Sequence, residues 1–407
     1  MNKIIPIFGI MSTNLFFTLT SIFGYEYLGE DDSYIYFFYI VIIGSLNYLL
    51  FFLYITKNNI KFNSKDIILI LVPFFFFANF LISGFHQGFN PIAVTYFLYF
   101  LIWTVPVIYI SIYIRKKEIF VELPKYFEVS MIVFTIAVFI TTIGSYVQGQ
   151  SFTSIGGATY QTASYIAALA YGLNLYFLLY GKYHKRFYFA KSRIYSVLSF
   201  VFLIVQFVAI FMTGGRGGIV LFSIFSIYII GSVLLKSSLK LYSKLFAIIL
   251  MFLIFIPILF QNLMSNNQFL VKFNRTLEFL SFESGLNWEG SSNRDILYLK
   301  AINLIMDQPL LGYGIYGFWD VSGYPHNLVL EILLNGGLLY FVFVLLLLLY
   351  VIIKLVLMIK REPQYRLLAV LLIYPLTMLM FSGSYMIITE LWFVLSFVYG
   401  YHKVKVL

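Results

Sequence analysis

Two arginines and one histidine stand apart from the other charged residues of this chain, and the surroundings of each suggest a distinct chemistry. Arg216 lies in Thr-Gly-Gly-Arg-Gly-Gly, residues 213–218, a short turn that opens an apolar run. The four glycines leave backbone N–H groups open and let a ligand come close. The helix start that follows favours anions through its N–H groups and dipole. Gly215 and Gly217 flank the arginine and join the candidate site. The turn lacks the Lys-Ser/Thr of a nucleotide P-loop. Arg216 could instead be an interfacial arginine with its stem along apolar surface. Arg294 opens SNRDILYLKAINLIMDQ, residues 292–308, with Asp295 beside it and Tyr298 one turn on. A cation at a helix start opposes the dipole slightly, a misfit that a role in anion binding would explain and a solvated position would not. His326 follows Pro325, with Asn327 next and Glu331 within a helical turn of it. Histidine is the natural general base near neutral pH; the alternative is a capping or packed histidine at a helix entrance.

The remaining candidates are fewer. Lys272, Arg275 and Lys300 read as solvated positions, and His86 stands alone in a short loop. Glu390 could partner an arginine. Glu30, Asp31 and Asp32 form an acidic run that could hold a divalent ion in a metal-dependent sugar transferase, or be a solvated turn. No cluster has the spacing of a metal site, and no Ser/His/Asp set can be assembled. With no cysteine, disulfides and thiolate metal sites are excluded.

The elements that must position these residues are membrane helices. Of 407 residues, 61% are hydrophobic and 11% charged, against roughly 25% charged in soluble domains; mean hydropathy is +0.91. Apolar stretches near 4–23, 34–55, 67–85, 92–114, 129–147, 160–180, 194–212, 218–235, 245–260, 337–358, 366–382 and 387–401 are long enough to span a hydrocarbon core of ~30 Å. Backbone polar groups inside lipid need internal partners, so helices are expected. The expected fold is all-α, one polytopic transmembrane domain over 1–407 with about twelve spans. The first span reads as a retained anchor, too long for a signal-peptide core and without a cleavage site.

Lysine and arginine set the orientation, since they gather in short cytoplasmic loops. With the N-terminus inside, the alternate loops that face the cytoplasm collect 22 of the 27 basic residues and only five acids, whereas the outside keeps five basic and twelve acidic residues. The net basicity is therefore a topology signal and not a nucleic-acid footprint. Both termini are expected in the cytoplasm. One loop is long: residues 261–326, on the outer side, with amphipathic helix candidates at 266–283 and 292–308. Loops this long are uncommon unless functional.

The arginine turn, the loop arginine, the run PLLGYGIYGF at 309–318 and HNLVLEILLNGGL at 326–338 together resemble the bacterial O-antigen polymerase and O-antigen ligase superfamily. The chain departs from the usual pattern at Gly215 (serine is common before the arginine), at Tyr298 (often tryptophan) and at Asn335 (often an acid). The resemblance implies a metal-independent glycosyltransferase of the bacterial cytoplasmic (inner) membrane, with its active site outside and no cofactor. Its donor would be an oligosaccharide linked to undecaprenyl diphosphate. Arg216, Arg294 and His326 would be catalytic, with Gly215, Gly217, Tyr298, Asn327 and Glu331 binding substrate. A polymerase would take a second lipid-linked repeat as acceptor and could work with a chain-length regulator; a ligase would use lipid A-core. A lipid-linked sugar flippase is a further alternative, but its cationic residues should sit near mid-membrane.

Overall fold

The computed structural model describes residues 3–25, 33–58, 60–150, 152–181, 192–235, 239–264, 294–319 and 323–402, and among them the only β pairing is an isolated bridge between Ile155 and Ala158. The helices are α1 (Ile5–Ile10), α2 (Ser12–Ile22), α3 (Ser33–Lys57), α4 (Ser64–Gln87), α5 (Pro91–Tyr99), α6 (Val105–Lys116), α7 (Pro124–Val147), α8 (Tyr160–Tyr180), α9 (Arg193–Met212), α10 (Arg216–Leu234), α11 (Leu239–Met264), α12 (Arg294–Asp307), α13 (Leu328–Arg361), α14 (Arg366–Leu379) and α15 (Thr389–Gly400). Helix occupies each of the twelve expected spans. Eight of the described helical segments are long and apolar enough to cross a membrane, and shorter apolar helices cover Leu241–Phe255 and Pro363–Leu379. The chain is an all-α polytopic membrane protein.

Local chemistry accounts for the departures from simple spans. The first span breaks at Met11 (φ −112°, ψ 32°). The fourth contains a π-helical turn, Phe100–Thr104, between α5 and α6. The tenth begins at Leu328, nine residues before the expected 337, because Asn327 caps the chain there: its side-chain oxygen accepts from Val329 N and Leu330 N at 3.0 and 3.2 Å. α13 then loses helical geometry at Gly336 and Gly337 before it resumes. α12 occupies the expected loop helix. The candidate helix at 266–283, Lys272, Arg275 and the acidic run Glu30, Asp31 and Asp32 lie outside the described residues.

The residues form two compact units, 1–12 with 37–120 and 291–407, and 13–36 with 121–290. In the second unit α8 is the central helix, packed by α7, α9 and α10 and buried from Ala163 to Tyr180. Its alanines and glycines allow this, since small residues let helices approach where lipid supplies no hydrophobic drive. Polar groups in the spans bond internally. Asn174 Nδ2 donates to Ser199 O and Gln206 Oε1, and Gln206 Nε2 donates to Thr135 Oγ1 at 2.7 Å. Thr18, Thr135 and Ser223 return their hydroxyls to carbonyls one turn back. In the first unit Asp66, fully buried, pairs with Arg115 at 3.0 Å and Lys116 at 2.8 Å, and α15 packs on α6.

Candidate functional site

In the first unit, the segment between α12 and α13 is built as a seam between two glycine motifs. Tyr313 N donates to Leu334 O at 2.7 Å, and Leu338 N donates to Pro309 O at 2.8 Å. At Gly312 (φ 62°) an added Cβ would lie 2.6 Å from Gly337 N and Leu334 O; at Gly337 (φ 61°) it would lie 2.3 Å from Leu310 C. Both positions need glycine for backbone sign and for space. The seam is tied to α4, where Ser83 Oγ donates to Tyr313 O at 3.0 Å and Asn79 Oδ1 accepts from Ile315 N at 3.0 Å.

The seam sets up a buried polar network that carries His326. Tyr316, 1% exposed and at φ 60°, donates its N–H to Asn335 Oδ1 at 2.9 Å and shares a hydroxyl bond with Ser384 Oγ at 2.9 Å. Ser384 Oγ donates to Glu331 Oε1, and Glu331 Oε2 accepts from Tyr385 N and the Tyr324 hydroxyl, each at 3.3 Å. Tyr324 also donates to Gly383 O. Burial, and next the Glu331 carboxylate, push the Tyr324 hydroxyl well above its ordinary pKa, so it stays a donor. The Tyr324 ring meets the His326 ring edge-on, centroids 4.8 Å apart at 82°. Tyr324 also stacks on Trp319, and Trp319 in turn meets Tyr96 at a tilt of 44°. A row of rings therefore ends at the histidine.

His326 has φ 51°, a region non-glycine residues enter seldom and at a cost of roughly 1–3 kcal/mol. Its ring is half-buried, and its Nδ1 is buried with no hydrogen-bond partner among the described residues. Burial, and after it the Arg294 cation, lower the pKa of the imidazole. Both effects favour the neutral ring, the form that can take a proton. Arg294, at the start of α12, thus lies within electrostatic reach of His326. Tyr298 is half-buried on the same helix, and Lys300 is exposed.

Arg216 belongs to the second unit, at the first position of α10, with no side chain capping the helix start at Gly215. The glycines around it serve packing. A Cβ would lie 2.1 Å from Ser164 Oγ at Gly215, 2.0 Å from the Tyr165 hydroxyl at Gly217 and 2.7 Å from Ser164 Cβ at Gly218. The close approach that these glycines permit is that of α8. Gly215 and Gly217, expected to bind substrate, have this packing role. Asn327 and Glu331, expected likewise, spend side-chain atoms on the α13 cap and on the Tyr324–Ser384–Tyr385 network. His86 is exposed at the end of α4, and Glu390 is buried with Thr389 donating to it at 3.4 Å.

Residues 199–345 match a family model described as O-antigen ligase. The segment is similar to the O-antigen polymerase and ligase superfamily. Arg216, Arg294, His326, Glu331 and both halves of the glycine seam lie inside this superfamily segment, whose members are glycosyltransferase-like enzymes. No curated protein and no solved structure matches the chain. Sequence reasoning missed Tyr324 and Ser384, which donate to Glu331, and Tyr316, which bonds Ser384; of the three, Tyr324 packs its ring against His326. Tyr324 had a signal, two residues before His326 in Gly-Tyr-Pro-His-Asn; Ser384 had none, 58 residues away in sequence.

Proposed function

We propose that this chain is a polysaccharide polymerase of the O-antigen or capsule type. It moves a growing glycan from undecaprenyl diphosphate to the next lipid-linked repeat unit at the outer face of the cytoplasmic membrane. The observation that carries this reading is His326: an imidazole on a left-handed backbone, its pKa lowered by burial and by the Arg294 cation, in the segment that matches the O-antigen ligase family model. In the reaction the bond from the anomeric carbon to the pyrophosphate oxygen breaks, and a bond from that carbon to an acceptor hydroxyl oxygen forms. His326 takes the hydroxyl proton, and undecaprenyl diphosphate leaves with the electron pair. That leaving group is already anionic and needs positive charge more than a proton. Arg294 and Arg216 supply it as preorganised donors, with the planar fork that suits phosphate oxygens. No step requires a metal.

The description of the matching family favours a second reading, a ligase that transfers finished glycan to lipid A-core. The chemistry at the donor is the same, and the acceptor separates the two. The test is conversion of purified lipid-linked repeats by the protein in membranes, with no other acceptor and with EDTA present. A ladder of lipid-linked products supports the polymerase. Transfer seen only when lipid A-core is added supports the ligase, and dependence on added magnesium or manganese overturns the metal-free mechanism.

A further inference from the structure

The second unit contains a cavity of about 270 Å³ that none of the steps above uses. Its lining comes from the end of α2, the last turns of α7 and the segment between α7 and α8, and includes Ser21, Thr141, Ser145, Gln148, Gln150 and Ser154. Among the described residues the lining is hydroxyl, amide, aromatic and glycine, with one aliphatic side chain and no charged residue. A relay orders the amides: Ser145 Oγ donates to Gln150 Oε1 at 3.1 Å, and Gln150 Nε2 donates to Gln148 Oε1 at 2.8 Å. The wall is built and not loose. Gln150 N donates to Ser145 O at 2.9 Å, and the turn at Gly156 (φ 54°) seats so closely on α2 that a Cβ would lie 2.3 Å from Thr20 Oγ1. The charge rule puts the ends of the first and fifth spans, which border the cavity, on the outer side.

We infer that this cavity is a subsite for a neutral sugar residue. Its volume lies near the lower end of small-molecule pockets, about 300–1,000 Å³, which suits a single pyranose ring. Each amide offers two N–H donors and a carbonyl acceptor, and each hydroxyl both donates and accepts; a sugar ring asks for that mixture. An uncharged wall gives an anionic group nothing to pair with, so the pyrophosphate is excluded and the ligand is the glycan. The identification of that sugar as part of the lipid-linked substrate rests on the transferase reading; the class of ligand does not.

Gly144 makes the test clean. It lines the cavity inside α7, and a Cβ there meets no atom within 4 Å, so Gly144→Leu fills space without a clash. Binding is read by saturation-transfer NMR on the full chain in nanodiscs, with galactose, N-acetylglucosamine and galacturonate as probes. The neutral sugars are expected to bind wild type and His326→Ala alike, and galacturonate about tenfold more weakly. Gly144→Leu, and Gln150→Ala which removes two or so hydrogen bonds, should each cost about tenfold in affinity with an unchanged melting temperature. Binding that survives Gly144→Leu, equal binding of galacturonate, or no binding of either neutral sugar overturns the subsite. In the ladder assay Gly144→Leu should raise KM for the lipid-linked repeat and leave kcat near wild type. Ladders with an unaltered KM refute the subsite and keep the transferase. Cavity-dependent sugar binding by a wild-type chain that transfers no glycan refutes the transferase and keeps the subsite.

Discussion

At the scale of single residues, His326 and the two arginines should fail in different ways. His326→Ala removes a base that acts on the acceptor, so kcat is expected to fall ~10²–10⁴-fold while donor affinity holds. Arg216→Ala should lower the rate ~10²–10³-fold, as for loss of one preorganised donor to developing charge, and Arg216→Lys should recover little, since the ammonium lacks the planar fork. Initial rates of ladder formation over donor concentration separate these outcomes. The pH profile carries an independent signature. Burial and Arg294 lower the His326 pKa, so the base form persists below the usual histidine value of about 6.5. Activity should be level through neutrality and fall in acid, with the midpoint below that value. Arg294→Gln removes one of the two causes. Its residual activity should fall at a higher pH than wild type; an acid limb that does not move would refute the electrostatic link.

At the scale of elements, the seam between the PLLGYG run and the α13 break decides whether the histidine is presented at all. Gly312→Ala and Gly337→Ala each put a Cβ on backbone atoms at positive φ, with strain of at least ~1–3 kcal/mol. Both should lower the thermal midpoint of detergent-purified protein and reduce activity together. Gly144→Leu, with open space around it, should leave the midpoint unchanged. Glu331→Ala withdraws the acceptor shared by Ser384, Tyr385 and Tyr324, leaving buried donors unpaired at ~1–3 kcal/mol. It should perturb Tyr324 and with it the His326 ring. If activity and melting stay at wild-type levels in Glu331→Ala, the network does not position the histidine.

For the whole molecule, topology is the test with the widest reach. The chain has no native cysteine, so single introduced cysteines read cleanly. Residues 57–65, 115–125, 182–193 and 236–244 are expected to label from the cytoplasm, and 261–325 from outside. Labelling of the long loop only from the cytoplasm would remove every role built on an outer-face site.

The sequence by itself determined the membrane class and the α12 helix, and it singled out the histidine and arginines as candidates. Each of these is written in composition or in local spacing. Apolar run length decides a span because lipid leaves the backbone no partner but itself. The early start of α13 was also legible in principle, because Asn327 is a strong cap within four residues of chain. Only the tertiary structure decided what packs against the glycines and the acid. Gly215 and Gly217 look the same in sequence whether a ligand or a helix comes close, and the choice depends on α8, some fifty residues earlier. That Ser384 and Tyr385 donate to Glu331 is decided by the fold, since both lie more than fifty residues away in sequence. The division into two units likewise follows contacts between segments far apart in the chain, such as 37–120 with 291–407. Spacing along a chain reports which side chains share a helix face; it does not report what packs against that face, and it is burial together with the Arg294 cation that lowers the His326 pKa.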